Sequence, residues 1–308
     1  MARRARPCIS LQSMSAGMLH AMWFALALAA ALTQAGQFAV VKGRARSLSP
    51  LVLIFWTQTL GLTVWAVYFL TTGAPYRMTG ALWPWALASV VLASMMSYLL
   101  VRASAGGDIS IVGPVLALSP IFAILPDFLF SGTLPHGLGW LGIGLSAIGT
   151  ATLSRSASGR IDVRALVRRE DAICAFTAAV ILGVLSGVDR RSVLAVGVPT
   201  YLVSVHAVMW VGCAALVVLR SRRAFAAALA PTHLRTVLAH GALVATGTIL
   251  LMIAMTLAPA AYVNSVRRIA SVFAVLLGHT MFDEPALGSR LTGALLASLG
   301  AAFLLMAR

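Results

Sequence analysis

Charge is what this sequence has least of. Of 308 residues only 31 are charged, 23 basic and 8 acidic, while 60% are hydrophobic. A soluble domain is nearer half apolar and a quarter charged. So few charges cannot clothe a water-soluble domain of this size, and a disordered chain would be poor in apolar residues instead. With eight scattered acids there is no pair suited to general acid–base work. Cysteine is scarce too. Cys8, Cys174 and Cys213 have no metal-ligand spacing and imply no disulfide framework. Histidines never recur as His-x-x-x-His, and there is no Walker loop, Gly-x-Ser-x-Gly or Cys-x-x-Cys. No metal site and no cofactor is expected. Lysine is nearly missing: Lys42 stands alone beside 22 arginines.

What is present is long apolar runs and a mean hydropathy of +0.94. The runs fall at 18–40, 51–71, 81–101, 109–130, 134–153, 172–188, 198–219, 236–257, 262–282 and 291–307. Each is near the roughly 20 residues that cross a bilayer as a helix. None alternates as a barrel strand would, and a backbone in hydrocarbon must satisfy itself. The expected fold is therefore an all-α integral membrane protein of ten transmembrane helices. Arg3, Arg4 and Arg6 before the first run resemble the start of a signal peptide. That run is too long for a signal core and is read as a retained helix. Net +15 does not point to nucleic acid, because the arginines sit between apolar runs, where membrane proteins carry orientation signals.

Shifting the chain by 151 residues aligns its halves. Gly36 falls on Gly187, Gly61 on Gly212, Gly142 on Gly293 and Gly149 on Gly300. The string Ser119–Leu125 falls on Ala270–Leu276, Phe122 meeting Phe273. The halves are 18–153 and 172–307, joined by a basic loop, 154–171. Five spans per half is odd, so the second half enters from the opposite face. That is an inverted-topology repeat, a construction suited to carriers. Gly142, Gly144, Gly149, Gly293 and Gly300 read as packing seams.

The string Leu257-Ala258-Pro259-Ala260-Ala261-Tyr262-Val263-Asn264-Ser265-Val266-Arg267-Arg268, then Ser271–Gly278, then Phe282-Asp283-Glu284, resembles the EamA domain of the drug/metabolite transporter superfamily. Gly187-Val188-Asp189-Arg190 at the end of the sixth run is similar, and Pro114 with Ser119-Pro120-Ile121-Phe122 forms a weaker first copy. The resemblance implies a ten-helix carrier of small metabolites, often an exporter, with the path between the halves. Where the family ends its fourth helix in Gly-Glu, this chain reads Phe130-Ser131-Gly132, and the acid survives only as Glu284, expected at an aqueous helix end.

Charges at membrane depth are costly and so are candidates for function. Asp127, Arg267 and Arg268 are the ones inside the runs. Asn264, Arg267 and Ser271 share a helical face, and Arg267 could fork onto a carboxylate or phosphate or snorkel to headgroups. Arg268 points elsewhere and is expected to pair or snorkel, and Asp127 to cap its helix. Pro114, Pro120 and Pro259 either break helices toward a cavity or merely kink them. His240 and His206 are proton shuttles or hydrogen-bonded structural groups. Gln34 and Gln37 face a cavity or join helices. Tyr98 and Trp210, with Trp23, line a pocket or sit in the aromatic belt; Tyr76, Trp83 and Trp85 read as belt residues. The first run has no acid, which argues against a drug exchanger of the small multidrug branch.

The expectation is a secondary transporter of a small polar metabolite, with membrane lipid its surroundings and a monomer or homodimer its form. Arginine-rich, alanine-rich usage suggests a bacterial inner membrane. Seven basic residues lie on the side of the tails and fourteen on the other, so the positive-inside rule puts both tails outside. Two alternatives stay open. A lipid-headgroup flippase would need a groove open to the bilayer. A membrane enzyme would need His206, His240 and Asp127, or a similar cluster, to converge.

Overall fold

The computed structural model describes residues 16–44, 48–106, 109–116, 118–119, 121–122, 137–152, 169–220, 231–258, 260–284 and 287–306. Among them the regular elements are all helical. They are α1 (Ala16–Arg44), α2 (Pro50–Thr72), a 3-10 turn (Gly80–Leu82), α3 (Trp83–Gly106), α4 (Ile109–Leu116) and α5 (Gly137–Thr152). Then follow α6 (Glu170–Val196), α7 (Val198–Arg220), α8 (Pro231–Leu257), α9 (Ala260–Arg267), α10 (Ala270–Phe282) and α11 (Leu287–Met306). Among the described residues six helices are long and apolar enough to cross a membrane: α1, α2, α3, α6, α7 and α8. The other expected runs are occupied by α4, α5, the α9–α10 pair and α11. The chain is a multi-pass membrane protein, with no strand among its described residues.

Local chemistry explains where these helices stop. Pro50 opens α2, and the Ser49 hydroxyl accepts a hydrogen bond from the Val52 amide at 3.4 Å. Between α6 and α7 only Gly197 intervenes, at φ 84°, a conformation that side chains with a Cβ resist.

Two boundaries differ from the sequence reading. The sixth run does not end at residue 188. α6 continues through Asp189, Arg190 and Arg191 to Val196, because the residues after the arginines are again apolar and Gly197 is the first breaker. The ninth run is not one helix. It breaks at Arg268–Ile269, leaving an eight-residue α9 and a thirteen-residue α10.

Packing follows a reciprocal pattern. α1 lies on α8 and α3 on α6; α1 touches α9 and α4 touches α6. α2 packs on α7 and α5 on α11. α4 and α9 have the same length and start 151 residues apart. Large buried side chains fill the joints. Trp65 of α2 is fully buried and donates its indole N–H to the Ala245 carbonyl of α8 at 3.2 Å. Gly142, Gly149, Gly293 and Gly300 are buried in the α5 and α11 helices. Gly144 is not part of a tight seam: a Cβ there would meet nothing within 4 Å. α6 makes a closer approach at Gly183, where a Cβ would stand 2.7 Å from the Phe122 and Ser119 backbone.

Glu284, expected at an aqueous helix end, is not at one. Glu284 is buried and binds Lys42 of α1 and, at 3.1 Å, Arg290 of α11. Its role is to tie α1 to the α10–α11 corner. The Lys42 ammonium also lies over the Phe282 ring, 5.4 Å from its centroid.

Candidate substrate cavity

A cavity of about 150 Å³ lies among α1, α2, α3, α6, α7, α8 and the end of α9. Both halves of the chain border it. Much of its wall is aliphatic or thioether, including Leu182, Leu185, Val205, Met209, Leu251 and Met252. Set into that wall are polar groups from each helix: Thr33, Gln34 and Gln37 of α1, Thr57 and Gln58 of α2, and Ser97 and Ser104 of α3. Asp189 of α6, Tyr201 and His206 of α7, His240 and Thr248 of α8 and Arg267 of α9 complete them. An apolar surround with a few placed polar groups is the usual form of a small-molecule site.

Most of these groups are held in position. His240 Nδ1 and Thr57 Oγ1 are 2.9 Å apart. His206 Nδ1 donates to Gln58 Oε1 at 3.0 Å, and its ring lies 3.8 Å from that of Trp65, centroid to centroid. Gln58 Nε2 contacts Met209 Sδ at 3.1 Å, and Gln37 Nε2 donates to the Leu243 carbonyl at 3.3 Å. Asp189, 6% exposed, accepts two hydrogen bonds on Oδ1, from Ser89 Oγ at 2.9 Å and Tyr201 OH at 2.5 Å. Helices α3, α6 and α7 meet at that carboxylate.

Arg267 lines the cavity, and its Nε is buried with no hydrogen-bond partner among the described residues. It attracts Asp189 electrostatically, but no ion pair within 4 Å joins them. Behind it a second void of about 10 Å³, room for one water, is bordered by Gln34, Arg267, Arg268 and Ser271.

Of the residues singled out in the sequence, Arg267, Gln34, Gln37 and His240 border the cavity, and so does His206. Ser271 borders the small void only; its hydroxyl donates to the Arg268 carbonyl at 2.7 Å. Asn264 is buried outside the cavity lining. The single polar face expected for Asn264, Arg267 and Ser271 does not form, because the break at residues 268–269 interrupts the helix between them. Tyr98 is 39% exposed on α3, away from the cavity. Trp210 is half-buried and donates to Thr59 Oγ1 at 2.8 Å instead of facing the cavity. Pro114 lies within α4. Pro120, Pro259 and Asp127 lie outside the described residues.

Arg268 neither snorkels nor pairs with an acid. It is 3% exposed and donates to two backbone carbonyls, Asn264 at 2.9 Å and Leu116 at 2.8 Å. The residues sequence reading missed are Asp189, Tyr201, Thr57 and Gln58. Asp189 was read only as part of the end of the sixth run, which was drawn to residue 188. The apolar stretch Ser192–Val196 beyond Arg190 and Arg191 was the signal that the helix continues. Among the described residues no three His, Cys, Asp or Glu side chains are placed to hold a metal.

Residues 21–155 match the EamA-like transporter family. Twenty-three chains of solved structure resemble this one. One, a crystal structure of a protein, is 20% identical and covers 94% of this chain and 96% of its own, with a TM-score of 0.63. Identity that low speaks for the fold alone. No curated protein matches the sequence.

Proposed function

We propose, from the match of residues 21–155 to the EamA-like transporter family, that the chain is a secondary transporter of a small polar metabolite. The observation that carries the reading is the cavity itself: a polar pocket deep among apolar helices, bordered by both halves of the chain. A structural membrane protein would fill that space with side chains.

We infer further that the halves, 18–153 and 172–307, are inverted repeats that rock about the cavity. The reciprocal packing supports this. If an axis exchanges residue i with i + 151, positions on the axis meet their own counterparts. Gln58 touches Met209, and Thr59 touches Trp210, each pair 151 residues apart. Alternating access would then expose the cavity first to one face and then to the other. Export is the direction proposed, across a bacterial inner membrane, with the basic loop 154–171 in the cytoplasm and both tails outside.

The test is a thermal-shift screen of the detergent-purified protein against amino acids, purines, sugars and organic anions. A ligand at about 100 times its Kd adds about 2.7 kcal/mol to the stability of the folded state. One class is expected to raise the melting temperature, and Arg267→Ala to abolish that rise. A rise that survives Arg267→Ala counts against the site, and a flat screen against the function.

A further inference from the structure

Arg267 and Arg268 put two permanent positive charges side by side at membrane depth. Among the described residues one acid acts on them, Asp189, and it attracts Arg267 without forming an ion pair. Arg268 has no acid near it among those residues: its one charged neighbour is Arg267, which repels it. The pair therefore carries a surplus positive charge into a medium that penalises any. Its hydrogen bonding falls short as well. Arg268 is 3% exposed; Nε and Nη1 serve the carbonyls of Asn264 and Leu116, and Nη2 is buried with no partner. Arg267 Nε is buried with no partner either. Both guanidiniums border the void of about 10 Å³, and Gln34, itself buried, brings a carboxamide to it from α1. No carboxylate is among the residues that border it.

We propose that this void is a halide site, taking one chloride ion between Arg267 and Arg268 with Gln34 as a further donor. A single negative charge cancels the surplus that Asp189 leaves. The unpartnered N–H groups of both guanidiniums gain an acceptor, and hydrogen bonds between ionised partners are the stronger kind. A water would fill the same space and accept the same bonds, but it would leave the charge uncancelled. Size selects the ion. A space fit for one water admits a monatomic halide and turns away phosphate, sulfate and any organic carboxylate. The void lies among α1, α4 and the α9–α10 break, so the ion ties the first half of the chain to the second at the point where the helix is interrupted. This site goes beyond the transport reading and holds or fails without it.

The test is a thermal melt of the intact, detergent-purified protein, exchanged into sodium gluconate and titrated with sodium chloride at constant ionic strength. Chloride is expected to raise the melting temperature along a saturating curve, bromide to do the same, and sulfate at matched ionic strength to have no effect. A melting temperature that chloride leaves unmoved overturns the proposal, and so does a rise that sulfate reproduces. Arg267→Gln should weaken the apparent chloride affinity about tenfold, the worth of one hydrogen bond to a charged group. Gln34→Glu sets a fixed carboxylate at the void, and its melting temperature should no longer depend on chloride. Chloride dependence unchanged in both variants puts the ion elsewhere and overturns the site. Crystals grown in bromide decide the matter even if neither variant folds: an anomalous peak between the two guanidiniums is expected, and no peak there overturns the assignment. None of these readings uses a metabolite, so a flat metabolite screen, which counts against the function, leaves the halide site standing.

Discussion

Glu284 and Glu170 show how differently one residue type behaves in one chain. Glu284 is 4% exposed and shared by Lys42 and Arg290. Removing one partner of a buried ion pair leaves the others desolvated and unmatched, which costs about 3–5 kcal/mol. Glu284→Gln should therefore lower the melting temperature clearly in differential scanning fluorimetry. Glu170 pairs with Arg102 where both side chains are at least half exposed. Water and salt already screen that pair, so Arg102→Gln should leave the melting temperature unchanged in the same assay. Sequence reading placed Glu284 at an aqueous helix end. That was wrong for Glu284, because burial at a corner depends on which distant helix arrives there. Lys42 is 242 residues away, and nothing local to Glu284 announces it.

Elements were more legible than residues. The apolar runs located the helices to within a few residues in most cases, since hydrocarbon leaves a backbone few alternatives. The errors came where a helix was charged or broken. α6 carries Asp189, Arg190 and Arg191 inside it, and a reading by hydropathy cuts it there. The α9–α10 break hides in an apolar run, and Arg268 stands at it. Arg268 donates to the Asn264 carbonyl of α9 and to Leu116, the last residue of α4. One guanidinium thus serves helix ends from both halves. Each such bond to a charged donor is worth about 1.5–3 kcal/mol. Arg268→Ala should destabilise the protein in a denaturant or thermal melt, with Arg268→Lys recovering only part of the loss, since an ammonium lacks the fork. Gly183 tests the packing of α6. A methyl group there would strike backbone at Ser119 and Phe122, which cannot rotate away. Overpacking of this kind costs about 1–3 kcal/mol, and Gly183→Ala is expected to show it as a lowered melting temperature.

At the scale of the whole molecule, orientation is the property most exposed to test. Fourteen basic residues on one side against seven on the other are the ground for the proposal that both tails lie outside. Two of the fourteen, Lys42 and Arg290, are buried around Glu284, yet the majority survives their removal. A cysteine introduced beside Arg308 should react with an impermeant maleimide added to intact cells. Labelling only after the membrane is opened would reverse the assignment. The cavity was legible in part. Gln34, Gln37, His240 and Arg267 were named from polarity within apolar runs, whereas Tyr201 and Asp189 needed the fold to bring α6 and α7 together.

The ion cluster at Glu284 has one more consequence. Its carboxylate and Arg290 belong to the second half and its ammonium to the first, so neither half is complete as a separate polypeptide. Cut in the basic loop and produced from two genes, the fragments should accumulate only when made in the same cell. Either one alone would carry a stranded charge into the bilayer and be degraded.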